Sequence, residues 1–254
     1  MPHAPIQPYV SLVLLSTALT LALPSCRKEA AKEQAPPSTA TETSTALWVE
    51  HHVDGNTLQF DTLQYTNAAG HTYSVTRLQY YLCALTLLGT SGTPDHTIAG
   101  PWYVDASLNP RYDLGTLPSG SYSGATMRLG LIPSLNLTGA LPNTLDNVNM
   151  AWPDMMGGGY HFMKLEGHFA HAGQTTGFAM HLGRDVNLPL CTLPYPLTLD
   201  GTSGTIVLRF NINEVFRTPH TYNLETGNQS MGSMALMGLL RDNCADAFDL
   251  QQHP

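Results

Sequence analysis

Imidazole, thioether and thiol groups are the side chains in this sequence best suited to hold a soft metal ion. The chain has 11 His, 10 Met and 4 Cys in 254 residues, with only 11 Lys+Arg and 19 Asp+Glu. Sulfur ligands select Cu(I), and imidazole accepts copper in either oxidation state. Scarce carboxylates disfavour calcium and magnesium, which need several oxygen ligands. The densest cluster is "NMAWPDMMGGGYHFMKLEGHFAH", residues 149–171, with one Trp, four Met, three His and four Gly. Within it "GGGYHFMKLEG" reads as a glycine turn feeding a core strand. Met155, Met156 and Met163 read as packing or turn residues, and "HFAH" at 168–171 as an exposed hairpin. His51 lies on the apolar side of "LWVEHHV", where a histidine is either a ligand or a core residue whose ring nitrogens need hydrogen-bond partners.

Other chemistries lack their motifs. There is no GxGxxG after a strand, no Walker loop, and no HExxH, GxSxG or CxxC, so nucleotide, zincin, serine-hydrolase and thioredoxin readings have no foothold. The chain reads as a binding protein, not an enzyme. A formal net charge of -8 without a Lys/Arg cluster excludes nucleic acid as a partner. Cys83, inside the apolar run "YYLCALTLL", reads as a buried small hydrophobe. Cys191 and Cys244 read as an exposed pair able to form the one disulfide that three thiols allow.

The elements that must position these groups are strands. Charged residues are 12% of the chain, about half the usual share of roughly 25%, and 22 Gly with 18 Pro supply many turns. "LWVEHHV" puts Leu47, Val49, His51 and Val53 on one side, and "TIVLRFNINEVF" puts Ile206, Leu208, Phe210 and Ile212 on one side, the period of half-buried strands. "VDGNTLQF" carries an Asp-Gly hairpin signal, and "YHFMKLEGHF" and "GFAMHLG" read as hairpin arms around "AHAGQTT". "MGSMALMGLLRDNCADAF" holds the one helical stretch, with Met234, Met237, Gly238 and Arg241 on a face. The expectation is an all-β protein: a β-sandwich of short antiparallel strands with a short C-terminal helix.

The N-terminal region reads as an address and a tether. Residues 1–25 contain no Asp, Glu, Lys or Arg, and "VSLVLLSTALTLAL", residues 10–23, is an apolar run of 14. That is too short to span a bilayer, which takes about 20, and suits a signal peptide. "LPSC" at its end resembles a bacterial lipobox, so Cys26 is expected to be lipidated. Residues 26–46, rich in Ala, Thr, Ser and Pro, read as a flexible tether, and residues 47–254 as the sandwich domain. The expected location is the periplasm, outer membrane or cell surface, with the membrane as a partner through the lipid anchor.

"HHVDG", "FDTLQYTNAAGHTYSVTRLQYYL", "YSGATMRLGL", "NMAWPDMMGGGYHFMKLEG", "FAMHLG", "INEVFRTPHTYNL" and "DNCADAFDL" follow one another along the chain. In this order they resemble the MbnP-like copper-binding family, secreted or lipidated β-rich proteins often found beside MauG-type dihaem peroxidases. The resemblance implies copper as the bound metal, with His51 and His181 as ligands. A histidine that some members carry near "LIPSLNLTGALP" is missing, Asn136 and Leu137 occupying its place, and Met231 is the expected third ligand. The resemblance also implies that a Trp in a "WxW" run is oxidised to kynurenine by the partner peroxidase. Here the run is "MAWPD", with Asp154 in place of the second aromatic, so Trp152 is expected to stay an intact packing residue with its indole N–H bonded to a nearby acceptor. The function expected is copper sequestration or transfer outside the cytoplasm, with affinity falling below about pH 6.5 as imidazole protonates. The alternatives are a metal-free structural or adhesive surface lipoprotein, or a protein substrate or partner of a dihaem peroxidase.

Overall fold

The computed structural model describes residues 42–253, and Glu42 already lies in a strand of alternating burial. Cys26, the segment read as signal peptide and most of the tether lie outside the described residues. Residues 42–46, assigned to the tether by composition, form the start of a strand in which Thr43 and Thr45 are buried. In chain order the first strands are β1 (Glu42–Val53), β2 (Asn56–Thr57), β3 (Tyr65–Thr66), β4 (Thr72–Thr90) and β5 (His96–Ile98). There follow β6 (Trp102–Asp105), β7 (Arg111–Pro118), β8 (Gly120–Leu129), β9 (His161–His171) and β10 (Gln174–Gly183). The last are β11 (Leu190–Leu193), β12 (Leu197–Leu199), β13 (Gly204–Asn211) and β14 (Phe248–His253). Among the described residues the α-helices are α1 (Leu145–Asn149) and α2 (Met234–Cys244).

These strands make two sheets, so the protein is an all-β sandwich. The smaller runs β14-β13-β1-β2 with β7 beside β1, and the larger runs β10-β9-β4-β8-β11 with four short strands off that path. The core lies between them, where Tyr80 of β4 meets Phe210 and Phe248 at ring separations of 5.4 and 6.1 Å. Two features depart from a sandwich of short antiparallel strands. β1 and β13 are parallel, Leu47 opposite Ile206 and His51 opposite Phe210, and β4 runs for 19 residues. β13 lies between β1 and β14, and Val207, on the side that alternation makes the polar one, is buried with its neighbours.

α2 forms where the helical pattern was expected but turns a different face inward. Met237, Leu240 and Cys244 are buried while Met234 is exposed. The helix is capped by Ser233, whose hydroxyl accepts from the Leu236 N–H, satisfying one of the first-turn donors. Among the described residues no helix is long and apolar enough to cross a membrane.

Candidate metal centre

Three local devices assemble a histidine pair at one end of the larger sheet. The first is a tight hairpin in the methionine-rich stretch. His161 N–H donates to Met150 O at 2.7 Å, Trp152 N–H donates to Gly159 O at 2.9 Å, and Ala151 and Tyr160 bridge between them. Gly157, Gly158 and Gly159 all take positive φ, at 109°, 67° and 85°, a region that favours glycine. This turn folds Trp152 back onto His161, with ring centroids 4.7 Å apart.

The second device is a β-bulge. β9 pairs with β10 regularly as far as Met163 opposite Leu182, and the next pair is His161 opposite Gly183. One extra residue therefore sits on β9, which re-aims the side chain beyond it. Strict alternation would put His161 on the face of Met163 and Leu165; the bulge brings it to His181 instead, rings 5.0 Å apart and nearly perpendicular at 89°. Gly183 makes room for the indole, since a Cβ there would lie 2.6 Å from the Trp152 ring.

The third device clamps His181. Buried Ser230 accepts from the His181 N–H and donates to the His181 carbonyl, both at 2.7 Å. The segment leading into Met231 is thereby held on the β10 edge, and Met231 is half-buried against the core.

Hydrogen-bond chemistry fixes one donor nitrogen on each ring. His161 Nδ1 lies 3.1 Å from the Met150 carbonyl oxygen, which can only accept, so Nδ1 carries the proton. Nε2 then presents a lone pair, and it is buried with no hydrogen-bond partner. Burial, with the Lys164 charge nearby, holds the His161 pKa down to about 3, so the ring is neutral at any ordinary pH. His181 Nε2 meets Glu166 Oε1 at 2.9 Å, and since a carboxylate oxygen accepts, Nε2 donates its N–H to it. The hydrogen bond from His181 is the main cause holding the Glu166 carboxyl below the usual range, and Arg77 at 3.1 Å supports it. Each imidazole thus donates one N–H to a carbonyl or carboxylate, the contact that orients metal-ligating histidines, and His161 keeps its other nitrogen bare.

The structure does not bring His51 to this pair. His181 is opposite Lys164, and Lys164 opposite Gln79; the adjacent row is Leu182, Met163 and Tyr80. Successive residues point to opposite faces, so Tyr80 faces away from His181. Its hydroxyl bonds His51 Nε2 at 2.8 Å inside the sandwich. Burial pushes the His51 pKa down to about 3, and Phe210 packs beside the ring. His51 is placed as a hydrogen-bonded core histidine.

Trp152 is 2% exposed and its indole N–H donates to the Met156 carbonyl at 3.3 Å. Cys191 and Cys244 are not exposed: both are fully buried thiols, and Cys191 Sγ meets the Cys244 carbonyl at 3.4 Å. Burial pushes the Cys191 thiol up to about 12 and the Cys244 thiol well above its ordinary value, which makes both poor nucleophiles. The sequence reading missed His161, Glu166 and Ser230. The signal available for His161 was its place directly after the glycine run, in the same stretch as Trp152.

Fold and site together define an all-β sandwich with a paired-imidazole centre walled by a tryptophan. The chain belongs to the MbnP family, whose model matches residues 42–235. The solved structure of MbnP from Methylosinus trichosporium is similar over 69% of this chain and 77% of that one, at 16% identity and a TM-score of 0.48. No curated protein matches the chain.

Proposed function

We propose that this chain is an extracytoplasmic, lipid-anchored copper-binding protein, not an enzyme, which sequesters copper or passes it on. The observation that carries this reading is the bare, buried Nε2 of His161 beside His181. Leaving such an atom unpaired costs about 1–3 kcal/mol, a cost that a purely structural or adhesive protein has no reason to keep. Two imidazoles suit copper in either oxidation state, and a thioether from Met231 biases the set towards Cu(I). The ion is cargo, and the protein contributes a buried lone pair on His161 and a His181 ring oriented by Glu166.

A second reading is favoured by the contact between Trp152 and His161. In it the chain is a substrate or electron partner of a MauG-type dihaem peroxidase, with Trp152 as the group acted upon.

The test is the copper and zinc content of full chain, and its division between membrane and soluble fractions, for wild type, His161→Ala, His181→Ala, His51→Ala and Cys26→Ser. Wild type should carry stoichiometric copper. Either His161→Ala or His181→Ala should weaken it tenfold or more, about 1.4 kcal/mol per decade, while His51→Ala keeps copper and loses stability. Cys26→Ser should leave the membrane fraction. Copper that is absent, or equal in all variants, would sink the copper reading, and unchanged membrane retention of Cys26→Ser would sink the anchor.

A further inference from the structure

The far end of the β9–β10 hairpin holds a second group of donors. Register places them there: Thr72 is opposite Ala170, so His71, one residue before β4, faces His171 at the end of β9. Their rings stand 5.8 Å apart. Glu225, from the loop before α2, meets His171 Nε2 with Oε1 at 3.0 Å. One nitrogen of each histidine and a Glu225 oxygen all lie within 4.8 Å of one another.

His71 is the anchored member. Asn67 accepts from the His71 N–H through its side chain at 2.9 Å and donates its own N–H to the His71 carbonyl at 3.0 Å, while the ring packs edge-on to Phe169 at 5.4 Å. The residue is only 7% exposed, and its Nδ1 is buried with no hydrogen-bond partner. A buried ring nitrogen without a partner is the mark of an unfilled coordination position or of an uncompensated cost. His171 and Glu225 are exposed, so their rotamers can close from the present separations to the roughly 3.3 Å between donors that Zn–N and Zn–O distances of about 2.0–2.2 Å require.

We propose that His71, His171 and Glu225 form a second metal site, separate from the histidine pair at the other end of the hairpin, for a borderline divalent ion of the Zn2+ class. Two imidazoles and one carboxylate, with no sulfur, suit zinc and disfavour Cu(I). Three protein ligands leave a fourth position for water. The ion takes the place of the direct contact between His171 and Glu225 and ties together three segments distant in sequence.

Zn2+ titration of the copper-free full chain tests this, with Co2+ absorption as a second readout of coordination. His71→Ala removes a buried ring and costs stability, so the exposed residues carry the test. Wild type should bind one Zn2+ here, His171→Ala and Glu225→Gln should each weaken it tenfold or more, and His161→Ala should leave it unchanged. No Zn2+ binding, binding indifferent to both exposed variants, or binding that follows His161 instead would overturn the proposal.

Discussion

Trp152 donates its N–H to the Met156 carbonyl and lies against His161, so it is both a packing residue and the wall of the imidazole pair. At 2% exposure no oxidant touches the ring, and electrons could leave it only through neighbouring protein groups. Asp154, where the family's run has a second aromatic, is exposed and accepts from the Thr138 hydroxyl at 3.0 Å. A carboxylate cannot relay an electron as an indole can. Trp152 is therefore expected to remain an indole in natively expressed protein, as checked by peptide mass spectrometry. A kynurenine mass at Trp152 would overturn this and put the peroxidase-substrate reading first.

The hairpin of β9 and β10 shows what alternation can and cannot reveal. Its arms and turn are legible, because polar and apolar residues alternate on both sides of an Ala-Gly pair with φ of 49° and 77°. The face that His161 occupies is not legible, because the extra residue between Met163 and His161 exists only relative to the partner strand. His51 misleads for the opposite reason: its strand was read with the right face inward, and that same burial ties it to Tyr80 on the far side of the larger sheet. The bulge also gives Gly183 a task, since the indole occupies the space of a Cβ there. Trp152 also packs against His161, ring centroids 4.7 Å apart. Gly183→Ala should thus destabilise the fold by about 1–3 kcal/mol, the usual range for overpacking, and weaken copper binding as well. Denaturant melts with a copper titration check both; wild-type stability and affinity in this variant would mean that the indole does not position His161.

Across the whole molecule, sandwich class and core strands follow from composition and period, while the parallel β1–β13 pair and the inward face of α2 depend on partners that one strand or helix does not encode. The core so formed encloses two neutral histidines, and that makes stability depend on pH. His51 and His161 both have pKa values held down to about 3, chiefly by burial, against about 6.5 in an unfolded chain. Between those values the unfolded state binds protons that the folded state refuses, so stability rises with pH and falls as pH drops from about 6.5 towards 3. The slope is at most roughly 1.4 kcal/mol per pH unit for each histidine. Carboxylates held below their usual range, Glu166 and Asp105 among them, add losses in the same direction only near pH 4, where unfolded carboxylates begin to protonate. The interval from pH 6.5 to 5 therefore isolates the histidines. Metal-free protein should show a urea midpoint that falls across this interval, and His51→Gln, which keeps a hydrogen-bonding group near Tyr80 but cannot take up a proton, should make the fall shallower. Metal must be absent because an ion bound only by the folded state adds its own pH-linked stability. A midpoint that stays flat from pH 6.5 to 5 would mean that the two rings are not held neutral in the fold.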